Sequence, residues 1–133
     1  MYRLPWVRLH GAKDYYDMAA RLDSFPRIKA NFNLVPSLVE QLSDYAQGKA
    51  IDKHLELSRK PVSDLTEEDK IWLVQHFFLG NWATMIEPYP RFRSLLEKCS
   101  DLETDYKLEV ALKRFKRQDF IDLQVWSNLA WMG

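Results

Sequence analysis

Apolar side chains recur at the spacing of an α-helix along most of the chain. Between residues 11 and 22, one helical stripe carries Tyr15, Met18, Ala19 and Leu22. The same periodicity predicts further helices at 37–45, 51–57, 66–80, 82–86, 91–98, 104–115 and 119–131. Thr66 is the predicted N-cap of the helix at 66–80. Ser37 followed by Glu40 predicts a capping box for the helix at 37–45. We therefore expect a mostly helical chain.

One segment follows the alternation of a β-strand instead. From residue 28 to residue 34, between Pro26 and Pro36, apolar and polar side chains alternate, which predicts one principal strand. A lone strand leaves its backbone donors and acceptors without partners. Its edge should be covered by a second copy or a neighbouring segment, or lose its extended form. We expect a homodimer formed by strand addition at Ile28–Leu34.

The balance of charge favours neither nucleic acid nor a membrane as a partner. Lys plus Arg and Asp plus Glu number 19 each, and the isoelectric point is near 6.8. The cations within 112–120 surround Phe115 without a known nucleic-acid motif, and we interpret them as a solvated helix face. No stretch is long and apolar enough for a signal peptide or a membrane span, so we expect a cytoplasmic protein.

No residue pattern implies a metal or a cofactor. Cys99 is the only cysteine, which excludes an internal disulfide and a cysteine-based zinc site. The histidines at 10, 54 and 76 match no metal-ligand spacing, and no spacing among the acidic residues marks a catalytic pair. Five Trp and an aromatic content of 14% predict either a Trp-rich core or an aromatic-lined groove.

A series of segments resembles a known enzyme family in the same order along the chain. The segments are LPWVRLHGAKDYYDM, FNLVPSLVEQLSDYA, LELSRKPVSDLTEEDK, FFLGNWATMIEPYPRF and QDFIDLQVWSNLAW. They are similar to the amino-terminal third of glycoside hydrolase family 57 enzymes of the α-amylase, amylopullulanase and 4-α-glucanotransferase-like branch. The resemblance covers nearly the whole chain.

The resemblance implies a fragment of an incomplete (β/α)7 barrel with a helical insertion. Residues 1–48 would be the barrel-derived loop, helix, strand and helix, and residues 49–133 the insertion, within a single partial domain. It also implies a retaining enzyme that acts on an α-glucan or maltooligosaccharide with two carboxyl groups about 5 Å apart. The family's nucleophilic Glu and acid/base Asp would follow residue 133. We therefore expect the isolated chain to be inactive, whereas hydrolysis and transglycosylation both stay open for the complete enzyme.

Substrates of such barrels sit at the carboxyl ends of the strands, so residues 4–14 and 33–37 are implied to face the sugar. The tentative substrate-binding residues are Trp6, His10, Lys13, Asp14, Asn33 and Trp131. Each has a structural alternative: core packing for Trp6 and Trp131, helix capping for His10, a solvated first turn for Lys13 and Asp14, and a turn for Asn33. Trp126 and Trp131 are five residues apart and should point to different neighbours. The alternative function is a free-standing helical module that binds a protein partner through exposed aromatic side chains.

Overall fold

The computed structural model describes residue 2, residues 4–99 and residues 105–132, except for the side chains of 105–107 and 109. The chain divides into two compact units. The first comprises Met1–Leu55 with Trp131–Gly133, and the second comprises Glu56–Ala130. The sequence-based division at residue 48 lies inside the first unit, and the assignment of all residues to one partial domain stays a prediction.

Helices account for most of the described residues, which confirms the mostly helical prediction. The first unit contains α1 (Trp6–His10), a π-helical turn (Gly11–Tyr15), α2 (Tyr16–Asp23) and α3 (Pro36–Ala46). The helix α4 (Lys53–Arg59) follows. The second unit continues with a 3-10 turn (Val62–Asp64), α5 (Glu67–His76), α6 (Trp82–Met85), α7 (Pro90–Glu97), α8 (Asp105–Arg114) and α9 (Arg117–Leu129).

The predicted strand and partial barrel are not present in the part of the chain that the structure describes. Residues 28–35 have neither helical nor strand structure, and all of them are exposed. Alternation of apolar and polar residues stabilises a strand only when a second strand completes the hydrogen-bond ladder and covers the apolar face. No such neighbour is available among the described residues, where the β-type pairing is an isolated parallel bridge between Tyr2 and Asp52. The predicted strand at Ile28–Leu34 was therefore wrong.

The two predicted helix caps had different outcomes. Thr66 caps α5 as predicted: its hydroxyl accepts from Asp69 N–H at 3.1 Å, and the Asp69 carboxylate accepts from Thr66 N–H at 3.1 Å. The predicted cap at Ser37 was wrong, because α3 begins one residue earlier with Pro36 at its first position and Val35 before it. Proline suits that position because its ring presets the helical φ and the first N–H would have no helical partner.

The π-helical turn joins α1 and α2, and its first residue, Gly11, lies close to α3. A β-carbon placed on Gly11 would lie 2.6 Å from Cδ2 of Leu42 on α3. Ordinary carbon contacts are about 3.5–4 Å, so the missing side chain of Gly11 permits this approach. The first unit nevertheless has little apolar core: no residue from 10 to 51 is buried, and its fully enclosed side chains include the polar Asp52 and His54.

The second unit has a conventional apolar core. Its buried members include Leu73, Phe77, Ile86, Phe92, Leu95 and Leu123, each at most 1% exposed. Cys99 belongs to this core, and burial raises the pKa of its thiol to about 12 although Lys98 acts in the opposite direction. This cysteine is therefore a packing residue rather than a reactive thiol.

A buried carboxylate links α7 to α9 in the second unit. Asp119 is 3% exposed and accepts hydrogen bonds from Arg91 and Lys98, each at 2.8 Å. Its carboxylate also accepts from Lys116 N–H at 2.7 Å, at the start of α9. Burial acts to raise the pKa of Asp119, but these donors, with Lys98 foremost, outweigh it and lower the pKa to about 2.

Candidate functional site

Three predicted site residues form an aromatic group in the first unit. Trp6 and His10 are four residues apart on one face of α1, with ring centroids 5.8 Å apart. Trp131 meets both of them edge-on, with its ring centroid 6.1 Å from that of Trp6 and 5.2 Å from that of His10. We call these three residues the Trp–His cluster.

Two further predicted residues border this cluster on the π-helical turn. Nδ1 of His10 is hydrogen-bonded to Oδ2 of Asp14. When the carboxylate is ionised it only accepts, so Nδ1 is the donor of this hydrogen bond, and in the neutral tautomer Nε2 is then an acceptor. Lys13 donates from Nζ to the carbonyl oxygen of Met132 at 3.4 Å, which ties the turn to the residue after Trp131.

Exposure differs among the members of the cluster. Trp131 is 7% exposed, whereas Trp6 is 37% exposed and the side chains of His10 and Asp14 are 39% and 46% exposed. Trp131 therefore forms the buried part of the cluster, and the side chains of Trp6, His10 and Asp14 are accessible to a ligand. An aromatic face suits the C–H face of a sugar ring, and the histidine and carboxylate supply partners for hydroxyl groups.

The structure thus brings together five of the six tentative site residues and leaves one apart. Asn33 lies in the exposed irregular segment, and among the described contacts none joins it to the cluster. Trp126 also has the separate surroundings predicted for it. Its ring packs on Tyr89 and Phe92, with centroid distances of 5.1 and 6.2 Å.

Sequence reasoning missed a polar network behind the cluster, which we call the Asp52 network (Arg8, Tyr45, Asp52 and His54). Asp52 Oδ2 accepts from Arg8 Nε at 3.1 Å and from Tyr45 OH at 2.9 Å. Its Oδ1 accepts from Leu55 N–H at 2.8 Å, as an N-cap of α4 does. Arg8 Nη2 also lies 3.1 Å from Nδ1 of His54. The available signal was an aspartate at the start of the helix predicted at 51–57, but its more distant partners have no local signature.

The network keeps Asp52 charged although the residue is fully buried. Burial acts to raise the pKa of Asp52, but the hydrogen bonds from Leu55 N–H and Arg8 outweigh it, so the pKa lies below its ordinary value. Burial and the hydrogen bond to Asp52 raise the pKa of Tyr45 well above its usual value. The Tyr45 hydroxyl therefore remains a donor at neutral pH.

Two further searches of the described residues gave negative results. No group of three or more His, Cys, Asp or Glu side chains there has a geometry that could hold a metal ion. No described helix has both the length and the apolar character needed to cross a membrane.

Comparison with protein families shows which family the chain belongs to. The sequence model described as glycosyl hydrolase family 57 matches residues 1–133. The chain belongs to glycosyl hydrolase family 57. The match confirms the family indicated by the five sequence segments, and the assignment to the α-amylase, amylopullulanase and 4-α-glucanotransferase-like branch stays a prediction. Searches of curated proteins and of solved structures each found no match to this family 57 chain.

Proposed function

We propose that this chain is a sugar-contacting part of a family 57 enzyme that acts on α-glucans with retention of configuration. The catalytic Glu and Asp would be supplied by sequence beyond residue 133. The observation that carries the proposal is the Trp–His cluster, in which the accessible rings of Trp6 and His10 pack on the buried ring of Trp131. The chain in which it occurs belongs to family 57.

The cluster offers two kinds of contact with a maltooligosaccharide. The accessible part of Trp6 can pack against the C–H groups of one glucosyl ring, and His10 Nε2 and the Asp14 carboxylate can accept from its hydroxyl groups. These contacts are few and remain accessible to solvent, so we expect a dissociation constant in the millimolar range, which corresponds to a binding free energy of about −4 kcal/mol.

A retaining mechanism also needs a nucleophile and an acid/base group about 5 Å apart across the glycosidic bond. We propose that the described residues position sugar without performing that step. The chain alone should therefore bind maltooligosaccharides without cleaving or transferring them. Amylase, amylopullulanase and glucanotransferase activities of the complete enzyme are all compatible with this role.

Ligand-observed NMR during a titration with maltotriose tests the proposal. Wild type should show saturable binding, and Trp6→Ala should weaken it about threefold to tenfold because it removes the stacking surface. Trp82→Ala is the matched control, since Trp82 belongs to the second unit and is 52% exposed. A flat wild-type titration, or equal losses in the two variants, would contradict the proposal.

A second candidate function, self-association, is favoured by an uncovered apolar surface in the first unit. A shallow pocket of about 300 Å³ is lined by Met18, Arg21, Leu22, Phe25, Ala30 and Phe32. Phe25 is 57% exposed and Phe32 is 50% exposed, and the adjoining Ile28 and Leu34 are 58% and 68% exposed. Contiguous exposure of this kind is typical of an interaction surface.

The charges around this surface favour a second copy as the occupant. Arg21, Arg27 and Lys29 alternate along the chain with Asp17 and Asp23, and in the described part of the chain none of the five forms an ion pair. A surface with unpaired charges of both signs can pair with itself across a two-fold axis. We propose a homodimer through this surface, without the strand addition expected from the sequence.

Sedimentation equilibrium over a hundredfold concentration range tests this second candidate. Wild type should shift from monomer to dimer, and Phe32→Ser should weaken association because it removes an exposed aromatic ring. Val125→Ser is the control, because Val125 is also 50% exposed but lies on α9. A monomer at all concentrations would rule out the dimer and leave the sugar-binding proposal intact.

A further inference from the structure

The rotation of the helical segment that presents Trp6 and His10 depends on its surroundings. α1 (Trp6–His10) continues without a break into the π-helical turn and α2, and the backbone stays helical at the two junctions, Gly11 and Tyr16. A helix fixes the angles between its own residues but not its rotation against its neighbours, so its direction and rotation are set by tertiary contacts. Leu9 supplies one of these, since it is 1% exposed, and Arg8 supplies the polar ones.

Arg8 lies on the side of α1 that is opposite the Trp–His cluster. Successive helical residues are about 100° apart, so Arg8 is about 200° from both Trp6 and His10. Its guanidinium contacts Asp52 and His54 at the start of α4, at 3.1 Å each. The rear of α1 is thus attached to α4 and the front carries the cluster.

Asp52 is the point at which three elements meet. One carboxylate, with no exposed surface, accepts from Arg8 on α1, from Tyr45 on α3 and from Leu55 N–H on α4. Breaking a buried ion pair leaves a charge without its partner, so alternative rotations of α1 that separate Arg8 from Asp52 are strongly disfavoured.

We propose that Asp52 and Arg8 are positioning residues for the sugar-contacting cluster: they fix the rotation of α1 and thereby place Trp6 and His10 against Trp131. The sugar-binding part of this inference rests on the proposed function, whereas the effect on cluster geometry does not. Neither residue needs to touch the ligand.

The variants that test the inference change the network and leave the cluster residues intact. In Asp52→Asn, an amide that both donates and accepts replaces an acceptor-only carboxylate, so Arg8 loses its charged partner. In Arg8→Lys the positive charge remains, but an ammonium group cannot reproduce the two-pronged contact with Asp52 and His54. Tyr45→Phe is a milder variant that removes one hydrogen bond to Asp52 and serves if the other two unfold the chain.

The control is Asp119→Asn in the second unit. Asp119 is also a buried carboxylate that accepts from cationic side chains, so its loss reproduces the general cost of breaking a buried ion pair. Its hydrogen-bond partners Arg91, Lys98 and Lys116 all belong to the second unit. An effect that appears with Asp52→Asn and is missing with Asp119→Asn is therefore specific to the Asp52 network.

The primary readout is the NMR spectrum of the free protein, recorded for indole Nε1–H groups and for the His10 ring. We expect Asp52→Asn and Arg8→Lys to shift the signals of Trp6, His10 and Trp131, and Asp119→Asn to leave them in place. Unchanged cluster signals in both network variants, or equal shifts in the control, would overturn the inference. If Asp52→Asn and Arg8→Lys do not fold, Tyr45→Phe decides by the same signals.

The second readout is maltotriose affinity. The two network variants should bind about fivefold more weakly than wild type, because residues in one network commonly couple by about 1 kcal/mol. Asp119→Asn should bind as wild type does. No binding by the wild type would refute the proposed function alone, since the spectra of the free protein still decide the positioning role.

Discussion

The imidazole ring of His10 meets the indole ring of Trp131 at 84°, with ring centroids 5.2 Å apart. The two residues come from opposite ends of the sequence, one on the first helix and the other after the last helix. Edge-to-face packing of this kind contributes about 0.5–1.5 kcal/mol beyond burial and restricts how both rings can turn. Trp131 therefore completes the Trp–His cluster, to which α1 contributes Trp6 and His10.

Trp131→Ala should destabilise the first unit and disorder the Trp–His cluster. Truncation of a buried tryptophan leaves a cavity and commonly costs about 3–5 kcal/mol. Urea unfolding followed by far-ultraviolet circular dichroism measures the loss. Trp82→Ala, at a residue that is 52% exposed, should cost about 1 kcal/mol or less. Equal losses in the two variants would show that Trp131 does not have the supporting role assigned to it.

Gly11→Val should lower stability because the new side chain collides with Leu42 on α3. The first added carbon would lie 2.6 Å from Cδ2 of Leu42, so this terminal methyl group must move. We expect a net cost of about 1 kcal/mol, because overpacking typically costs about 1–3 kcal/mol and the replacement of a helical glycine returns a few tenths of a kcal/mol. Ala12→Val is the control at an exposed neighbouring position, where the expected cost is the helix-propensity difference of about 0.5 kcal/mol. Thermal unfolding compares them. A Gly11 variant as stable as the Ala12 variant would refute the close approach.

The helices were predictable because their apolar periodicity is local, and α5 also carries its own capping residues at Thr66 and Asp69. The segment 28–34 was not, because alternation alone does not decide whether a second strand is present to complete the ladder. The resemblance to family 57 was enough to select Trp6 and His10 as candidates, whereas nothing in it distinguished Trp131 from Trp126. Their contact, and the role of Asp52, depend on tertiary packing that no local pattern encodes.

The second unit should lose stability in acid through Asp119. Its pKa in the folded chain is about 2, below its ordinary value of 3.8, so the carboxylate stabilises the fold above pH 4 and stops doing so as the pH falls from about 4 to about 2. The expected loss is about 2 kcal/mol. Urea unfolding at pH 5, 4, 3 and 2 measures it for wild type, for Asp119→Asn and for the exposed control Glu68→Gln. The free energy of unfolding should depend less steeply on pH in Asp119→Asn than in wild type or Glu68→Gln. The same pH dependence in Asp119→Asn and wild type would contradict the role given to Asp119.

Incubation of the isolated chain with maltooligosaccharides or starch should give no shorter or longer products between pH 4 and pH 9. The reason is that the retaining reaction requires a pair of carboxyl groups that we place beyond residue 133. Chromatography of the sugars checks this, with a complete family 57 enzyme as the positive control. Turnover by the chain would mean that it contains a catalytic pair after all.

The most direct test of the account follows the five indole Nε1–H signals in two-dimensional NMR while maltotriose is added. Trp6 and Trp131 belong to the Trp–His cluster, and Trp72, Trp82 and Trp126 serve as internal controls in the second unit. We expect saturable shifts of the Trp6 and Trp131 signals and stationary signals for the other three. Stationary signals for Trp6 and Trp131, or shifts confined to the three tryptophans of the second unit, would contradict it.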